Sequence, residues 1–470
     1  MSEYESTFSL LRQSADAGAA AAIEQLVRSG SDSDLHRINV LDFAARNGLN
    51  VDRALEAFLH AAKLGLFEMS WNVLCPGCGG VLTSNATMKT LHQHDYPCAL
   101  CAAGYEPTLD EMVEVAFTVS PRTRKIAAHT PQTLPMWDYV RQMFWSSSID
   151  FPEDLPLEQL LQAVVIDWAE LGPGEKATMS VQLQAEFVIV FEPVTHSAHF
   201  LDVQGEPTRE RQELGVVFSK VQASTGTVPM RPGPLRLTME NRTDARVLPA
   251  LYRAGDELHA LLGRRKKFLT AKRLLTNQVF RDLFRAETLE IDQRLKITSL
   301  TFVFTDLKAS TELYERVGDL AAYELVQAHF AVLHDVVAAE SGAVVKTIGD
   351  AVMATFPSPD RGIAAVLGMR DAMKALNASR QNEDLLLKIG IHEGPCLAVT
   401  LNDRLDYFGQ AVNIASRVQG LATSRSIFAT EPIVNHPEAS RLLAAAGLTP
   451  VAQRCALRGI SDDFSVYEIP

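Results

Sequence analysis

The strongest constraint on the fold lies after residue 297, where strand-like and helix-like segments alternate. The segment LTFVFTD is apolar almost throughout, which predicts a buried strand, and it ends in Asp306. An amphipathic helical pattern follows, and AVVKTIGDAVMATF then gives two strands around a Gly349-Asp350 turn. Another helix precedes the strand LLLKIGIHEG, and FGQAVNIASRVQGLA is helical again. This order predicts a ferredoxin-like βαββαβ core, of the α/β class, over residues 297–470.

Two aspartates in this core are candidate metal ligands. Asp306 ends a strand just before a loop and a helix N-terminus, where a carboxylate can hold a hard cation beside backbone N–H groups that bind phosphate. Asp350 lies at the hairpin tip, and the fold can bring it beside the first carboxylate. A pair of carboxylates suits Mg²⁺ bound together with substrate phosphates. A single aspartate at a strand end is more often a cap or turn residue, so the pairing carries the interpretation.

The helix after Asp406 carries a third candidate group. Asn413 and Arg417 are four residues apart and share one face, while Ala415 and Val418 mark the buried side. Arginine suits a developing phosphoryl charge and asparagine suits a hydroxyl group. The alternative is an ordinary solvated helix face.

These segments carry a family resemblance. In this order and spacing, VFTDLKAST, VVKTIGDAVMATF, GIHEG and LDYFGQAVNIASRVQ resemble a class III nucleotidyl cyclase domain. The resemblance implies an adenylate cyclase that converts ATP to 3′,5′-cyclic AMP and pyrophosphate under the control of its N-terminal region. It also implies a head-to-tail homodimer with active sites at the subunit interface.

The resemblance implies metal ligands as well. Asp306 and Asp350 would bind two Mg²⁺ or Mn²⁺ ions in each active site, and the backbone of Leu307 would add a ligand. In the family these residues come from one subunit, and the residues that bind the purine, the ribose and the reacting phosphate come from the other. Since one chain carries both sets, a homodimer would build two equivalent sites.

The remaining site residues are also matched to the family's motifs. Lys346 and Asp406 match the pair that reads the purine, and they would select adenine because a donor and an acceptor complement its N1 and 6-amino groups. Asn413 would orient the ribose and Arg417 would stabilise the transition state. Arg458, in ALRGI, matches a basic position that binds the triphosphate.

Two other functions stay open at this point. The guanylate cyclases that this domain resembles have Glu and Cys at the positions of Lys346 and Asp406. A guanylate cyclase is therefore the nearer alternative. The second alternative is a non-catalytic nucleotide sensor built on a cyclase-like dimer. The complete set of site residues argues against this alternative.

Residues 71–108 predict a zinc ribbon. Cys75 and Cys78 form one CxxC pair, and Cys98 and Cys101 form a second pair after 19 intervening residues. Two such pairs suit one tetrahedral Zn²⁺, and four thiolates leave no open position, so the metal would be structural. Scattered core cysteines and a redox pair are the alternatives.

The rest of the N-terminal part divides into three further segments. Residues 1–70 predict a helical, winged-helix-like module, whose ten acidic against six basic side chains disfavour DNA binding. Residues 109–260 predict a β-rich regulatory domain, with a small sandwich as the expected form. Residues 261–296 carry a basic run and predict a connecting helix, with a membrane-surface helix as the alternative. Residues 1–296 also resemble, more loosely, a regulatory region that precedes such cyclase domains in some bacteria.

Composition limits the cellular setting. Forty-four basic against 57 acidic residues give a net charge of −13, which disfavours nucleic acid and anionic membranes as partners. No apolar run reaches the roughly 18 residues that a membrane span needs, and the N-terminus lacks the pattern of a secretory signal. Six cysteines are too few for a disulfide scaffold. We therefore expect a cytoplasmic protein without a transmembrane segment, whose regulatory ligand or protein partner the sequence does not identify.

Overall fold

The structure is a computed structural model, and it describes residues 3–92, 94–152, 155–219, 226–379, 385–422, 426–456 and 463–470. The chain forms two compact units. The first comprises Met1–Ala86, His94–Pro107 and Met112–Leu269. The second comprises Thr87–Gln93, Thr108–Glu111 and Thr270–Pro470.

The helices and strands are numbered in chain order. The helices are α1 (Glu3–Ser14), α2 (Ala17–Ser29), α3 (Val40–Arg46), α4 (Val51–Lys63), α5 (Met136–Tyr139), α6 (Leu157–Leu161), α7 (Asp256–Leu262), α8 (Ala271–Leu275), α9 (Gln278–Leu283), α10 (Ser310–Val317), α11 (Asp319–Ala339), α12 (Pro359–Ser379), α13 (Gln410–Leu421), α14 (Glu431–Val434) and α15 (Pro437–Ala445). The strands are β1 (Phe67–Leu74), β2 (Val81–Asn85), β3 (Tyr96–Cys98), β4 (Ala103–Tyr105), β5 (Val113–Val119), β6 (Val165–Trp168), β7 (Lys176–Leu183), β8 (Phe187–Glu192), β9 (Ser197–Val203), β10 (Gln212–Phe218), β11 (Val228–Met230), β12 (Gly233–Asn241), β13 (Ala250–Arg253), β14 (Leu295–Leu307), β15 (Ala343–Ile348), β16 (Ala351–Phe356), β17 (Leu387–Leu401), β18 (Arg404–Phe408), β19 (Ile427–Thr430), β20 (Val451–Ala456) and β21 (Asp463–Ile469).

The first unit begins with four helices, α1 to α4. Asp16, Asn39 and Asn50 cap α2, α3 and α4, because each side chain accepts hydrogen bonds from backbone N–H groups of the first turn. The fully buried Phe58 on α4 packs against the rings of Phe43, Phe67 and Phe117, at centroid distances of 5.0, 5.3 and 5.2 Å. The aromatic contacts thereby join the helices to β1 and β5.

Two sheets follow within the first unit. One has the strand order β10-β12-β7, and the other has the order β11-β9-β8-β13-β6. Both contribute to one apolar cluster, to which β10 adds Phe218, β12 adds Leu237 and β8 adds Val190. Along β12 buried residues alternate with more exposed ones, which is the pattern of a sheet with one buried face, whereas β8 is buried on both faces, with Val190 in this cluster and Ile189 in another.

The predicted connecting helix over 261–296 is wrong in form, because the structure breaks this segment into short helices. Thr270 starts α8 by accepting a hydrogen bond from Arg273 N at 3.2 Å, and Asn277 starts α9 by accepting one from Phe280 N at 2.9 Å. Each side chain satisfies a backbone donor at a helix start, so the polar residues inside the segment interrupt it. Residues from 295 onward already belong to β14.

The second unit contains the predicted βαββαβ order. Its main sheet has the order β15-β16-β14-β17-β19-β21-β20, and β18 pairs with β17. The first four strands are antiparallel to their neighbours in the arrangement of a ferredoxin-like core. One face packs on α11 and α12 through residues such as Leu333 and Val366. Phe428 alternates with Ile427 and Ala429 along β19, so its cluster with Ile414 and Val418 places α13 on the opposite face.

Candidate active site

The register of β14 and β16 brings the two predicted metal ligands together. Thr305 pairs with Val352 in this antiparallel ladder. Extending the register by one or two residues places Asp306 and Leu307 beside the Gly349-Asp350 turn. The turn is tight because Gly349 adopts a positive φ of 64°. The carboxyl end of β14 and the hairpin tip therefore form one acidic site.

The electrostatics of this site favour the binding of a cation. Burial, and then the neighbouring charge of Asp350, raise the pKa of Asp306, although Lys388 opposes the shift. Asp350 Oδ2 is buried and has no hydrogen-bond partner among the described residues. A buried carboxylate oxygen without a partner is costly unless a cation or donor satisfies it. The two aspartates thus fit a divalent cation, with oxygen ligands of the kind that Mg²⁺ prefers.

Lys346 and Asp406 form a second pair. Lys346 Nζ lies 2.5 Å from Asp406 Oδ2, and Tyr407 N donates to Asp406 Oδ1 at 2.8 Å. The Asp406 side chain is 9% exposed, whereas that of Lys346 is 39% exposed. The carboxylate is therefore fixed by the backbone of β18, while the ammonium group stays accessible at the edge strand β15. The pair offers one donor and one acceptor next to each other.

Asn413 and Arg417 lie on α13, the first exposed and the second half-buried. The helix seats closely on β17, because a Cβ at Gly390 would lie only 2.2 Å from Gln419 N. Among the described residues, no hydrogen bond or ion pair joins Asn413 or Arg417 to either of the two pairs. One protomer thus assembles the carboxylates and the Lys-Asp pair, and it presents the two α13 side chains separately.

The other candidates have simpler settings. Arg458 lies outside the described residues. His392 is a core residue of β17 whose Nδ1 lies 2.8 Å from Thr430 Oγ1, and burial lowers its pKa to about 4. Cys396 is also buried, and burial raises the pKa of its thiol to about 12. These two residues belong to the core and contribute nothing to the acidic site.

The structure adds neighbours that the sequence did not indicate. Lys388 lies directly opposite Asp306 across β14 and β17, and the Gln419 side chain is close enough to the same carboxylate to oppose the rise of its pKa. His329, fully buried on α11, is close enough for the Asp350 charge to oppose the lowering of its pKa by burial, which leaves that pKa at about 4. These contacts depend on the register of the strands and on how the helices pack against the sheet. No local sequence pattern predicts them.

The four predicted zinc ligands lie together in the first unit. Cys75 Sγ is 3.6 Å from Cys101 Sγ, Cys78 Sγ is 3.6 Å from Cys98 Sγ, and all four sulfurs lie within 4.8 Å of one another. Tetrahedral zinc with Zn–S bonds of about 2.3 Å requires sulfurs about 3.8 Å apart. Gly77 leaves room for the cluster, since a Cβ there would lie 3.0 Å from Cys101 Sγ. The donor set and its spacing fit Zn²⁺.

Comparisons with known proteins identify the class to which the second unit belongs. Residues 293–442 match the family model described as "Adenylate and Guanylate cyclase catalytic domain", so this part of the chain is a class III cyclase domain. Residues 1–282, more than half of the chain, match the model described as "Family of unknown function (DUF5939)". The chain belongs to that family and joins it to the cyclase domain.

Two curated relatives and one solved structure are similar to parts of the chain. The chain is 31% identical over 236 residues to adenylate cyclase 2 of Rhizobium meliloti, a match that covers 47% of this chain and 62% of the relative. It is 25% identical over 185 residues to the adenylate cyclase of Anabaena cylindrica, covering 36% of each. The adenylyl cyclase CyaB from P. aeruginosa is a structural neighbour, with 23% identity, a TM-score of 0.33 and coverage of 38% of this chain and 96% of that chain. The chain spans less than two thirds of the length of these two curated relatives.

In the described ranges, no helix combines the length and the apolar character needed to cross a bilayer.

Proposed function

We propose that this chain is an adenylate cyclase, which converts ATP to 3′,5′-cyclic AMP and pyrophosphate under the control of residues 1–296. The observation that carries the proposal is the meeting of Asp306 and Asp350, where a buried oxygen of Asp350 has no hydrogen-bond partner within the described part of the chain. The names of the two curated relatives, both adenylate cyclases, support the same activity.

The Lys346–Asp406 pair favours ATP over GTP. Lys346 donates to N1 of adenine and Asp406 accepts from the 6-amino group, whereas guanine presents the opposite pattern at those atoms. Asp406 is well suited to this role because Tyr407 N already fixes its other oxygen at 2.8 Å. A site built to hydrogen-bond one base rejects the other strongly, since the wrong base leaves buried polar groups unpaired.

The remaining roles concern the reacting groups. Asp306, Asp350 and the backbone of Leu307 would hold two Mg²⁺ or Mn²⁺ ions, which supply activation of the ribose 3′-OH and charge neutralisation on the leaving pyrophosphate. Asn413 orients the ribose, so that its 3′-OH faces the α-phosphorus in line with the leaving group. Arg417 stabilises the charge that develops on the transferred phosphoryl group.

We propose that the cyclase domain acts as a head-to-tail homodimer. Among the residues that the structure describes, neither Asn413 nor Arg417 is hydrogen-bonded to Asp306 or Asp350, which supports completion of each site by a second copy. Two large apolar side chains next to the Lys–Asp pair are also exposed, Phe408 at 65% and Ile348 at 54%. Exposed apolar surface of this kind is typical of a protein interface.

We further propose that Cys75, Cys78, Cys98 and Cys101 bind one structural Zn²⁺. Arg265 supports this assignment, because its Nη2 donates to Gly77 O at 2.8 Å, within the loop between Cys75 and Cys78. The guanidinium charge offsets part of the excess negative charge that four thiolates confer on zinc.

Turnover by the purified full-length chain tests the proposed activity. We expect Mg²⁺- or Mn²⁺-dependent cyclic AMP formation that Asp306→Ala abolishes. Asp371→Ala is the matched control, since that side chain is 73% exposed on α12. Equal activity of the Asp306→Ala variant and the native chain would remove the assignment. In a competition between ATP and GTP, preferred turnover of GTP would instead favour the guanylate cyclase, and turnover of neither would favour a nucleotide sensor.

A further inference from the structure

We propose that α9 is a positioning element for base selection, in which Gln278 and Arg281 hold the two strands that carry Lys346 and Asp406. The inference rests on the proposed function, because it takes Lys346 and Asp406 as the residues that read the purine. It adds that their placement depends on two side chains outside the cyclase motifs. Gln278 and Arg281 touch neither the base nor the phosphates in this proposal, so they are positioning residues.

The first contact fixes a bulge in β15. Gln278 Oε1 accepts a hydrogen bond from Val344 N at 2.8 Å. The register of β15 against β16 shifts between Val344 and Lys346, where Val344 pairs with Ala354 and Lys346 with the adjacent Met353. A bulge re-aims the side chains that follow it, and a slip by one residue turns a side chain to the other face of the sheet. Gln278 therefore stabilises the backbone irregularity that sets the direction of Lys346.

Gln278 is itself held in one orientation. Its Nε2 donates to Asp282 Oδ1 at 3.2 Å, which leaves Oε1 facing Val344 N. The residue is 7% exposed, so water competes little for its bond to Val344 N, whereas its other partner, Asp282, has a side chain that is 46% exposed. A buried amide with both ends bonded is a rigid link between α9 and the edge strand.

The second contact fixes β18. Arg281 Nη2 donates to Leu405 O at 2.8 Å, at the peptide that joins Leu405 to Asp406. The guanidinium also acts on the buried Tyr407, where its charge opposes the rise of that pKa to about 12 by burial. The arginine therefore touches the backbone just before Asp406 and lies near the residue just after it.

Helix α9 carries both of these contacts, so they move together. Gln278 and Arg281 are three residues apart and so share a face of α9. Asn277 caps the helix, and Phe280, which is 1% exposed, anchors it with its ring stacked on Phe284 at 5.5 Å. A displacement of α9 must consequently move the supports of Lys346 and Asp406 together. The preference for ATP or GTP then depends on the position of this short helix, which lies in the segment that leads into the cyclase domain.

Nucleotide binding by the full-length chain tests the inference independently of turnover. Equilibrium dialysis with ATP and with GTP gives the ratio of the two affinities for the native chain and four variants. Gln278→Met removes both amide bonds at nearly constant volume, Arg281→Ala removes the donor to Leu405 O, and Arg281→Lys restores a donor. Arg285→Ala is the matched control, because it removes the same charge from an exposed position. Thermal unfolding shows which variants are folded.

We expect Gln278→Met and Arg281→Ala each to lower the preference for ATP by about threefold to tenfold, the effect of one lost hydrogen bond of ordinary strength. Arg281→Lys should regain part of the preference, and Arg285→Ala should leave it unchanged. In cyclase assays the same variants should raise the KM for ATP more than they lower kcat. A purely structural role would lower the folded fraction and leave the ratio of affinities unchanged.

Three results would overturn the inference. They are an unchanged ATP:GTP ratio in the folded Gln278→Met variant, an equal loss in Arg285→Ala, and equal binding of both nucleotides by the native chain. If Arg281→Ala does not fold, the isosteric Gln278→Met variant decides. A native chain that binds ATP preferentially but forms no cyclic nucleotide would refute the proposed function, and the binding ratios would still decide the role of α9.

Discussion

Gly390→Ala is expected to displace α13, and with it Asn413 and Arg417. A Cβ at residue 390 would lie 2.2 Å from Gln419 N and 2.5 Å from Gln419 Cα. Both are backbone atoms of the helix, so neither can rotate away as a side chain can. Ordinary contact begins at 3.4 Å, so β17 and α13 must separate by roughly 1.2 Å, the difference between 3.4 and 2.2 Å.

A separation of this size should lower the catalytic rate strongly and the free energy of unfolding only moderately. Misplacement of a reacting group by about 1 Å costs on the order of 100-fold in rate. Overpacking in a core costs about 1–3 kcal/mol of unfolding free energy. Gln419 moves with the helix, so its side chain shifts relative to Asp306 at the same time. We therefore expect a folded protein with a kcat for cyclic AMP formation lowered by about two orders of magnitude.

The assay compares kcat and thermal unfolding for Gly390→Ala and a control on the same helix. Gly420→Ala is that control, because a Cβ at this exposed position on α13 meets no atom within 4 Å. Replacement of a helical glycine by alanine there should preserve or slightly raise stability. Native kcat in a folded Gly390→Ala protein would refute the reasoning, since the close seat of α13 would then have no bearing on Arg417.

Three further predictions follow from the separate parts of the chain. A mixture of equal amounts of inactive Asp306→Ala and Arg417→Ala proteins, allowed to exchange subunits, should recover about a quarter of native cyclic AMP formation, since half of the dimers would hold one intact site; no recovery would contradict the shared site. Cys75→Ser should lower bound zinc from one equivalent towards none and lower the unfolding temperature, and metal analysis that finds no zinc in the native chain would contradict the zinc site. Stability should fall between about pH 6.5 and pH 4, because burial lowers the pKa of His36 to about 3 and of His392 to about 4, so that the unfolded chain binds more protons over this range. Each histidine contributes about 1.4 kcal/mol per pH unit there, and a His392→Gln variant with the native pH slope in urea unfolding would contradict the assignment.

The ferredoxin-like core was predictable because its information is local. Apolar runs, the Gly349-Asp350 turn and the helical spacing around Arg417 each identify an element and its order along the chain. Once that order is given, the crossover connections place the end of β14 beside the hairpin. The meeting of Asp306 with Asp350 therefore follows from topology alone.

Other parts of the site depend on long-range registers that no local pattern contains. The bulge between Val344 and Lys346 exists only in the pairing of β15 with β16. The hydrogen bonds of Gln278 and Arg281 join residues 66 and 124 positions apart. Charge and spacing predict one connecting helix for the basic run, because they do not show that Thr270 and Asn277 act as caps. Capping depends on backbone geometry, which is set by packing.

The boundary of the catalytic unit has a consequence for how regulation is measured. The family of unknown function extends to residue 282, whereas the longest segment of the second compact unit begins at Thr270, and the unit also includes Thr87–Gln93 and Thr108–Glu111. Asp110 in the last of these segments accepts hydrogen bonds from Thr298 N at 3.0 Å and Ser299 N at 3.3 Å, in the first half of β14, the strand that carries Asp306. A chain cut at residue 297 loses these acceptors together with Gln278 and Arg281. Its lower activity would therefore combine lost support of the site with lost regulation, and only a parallel chain that begins at Thr270 separates the part due to α8 and α9.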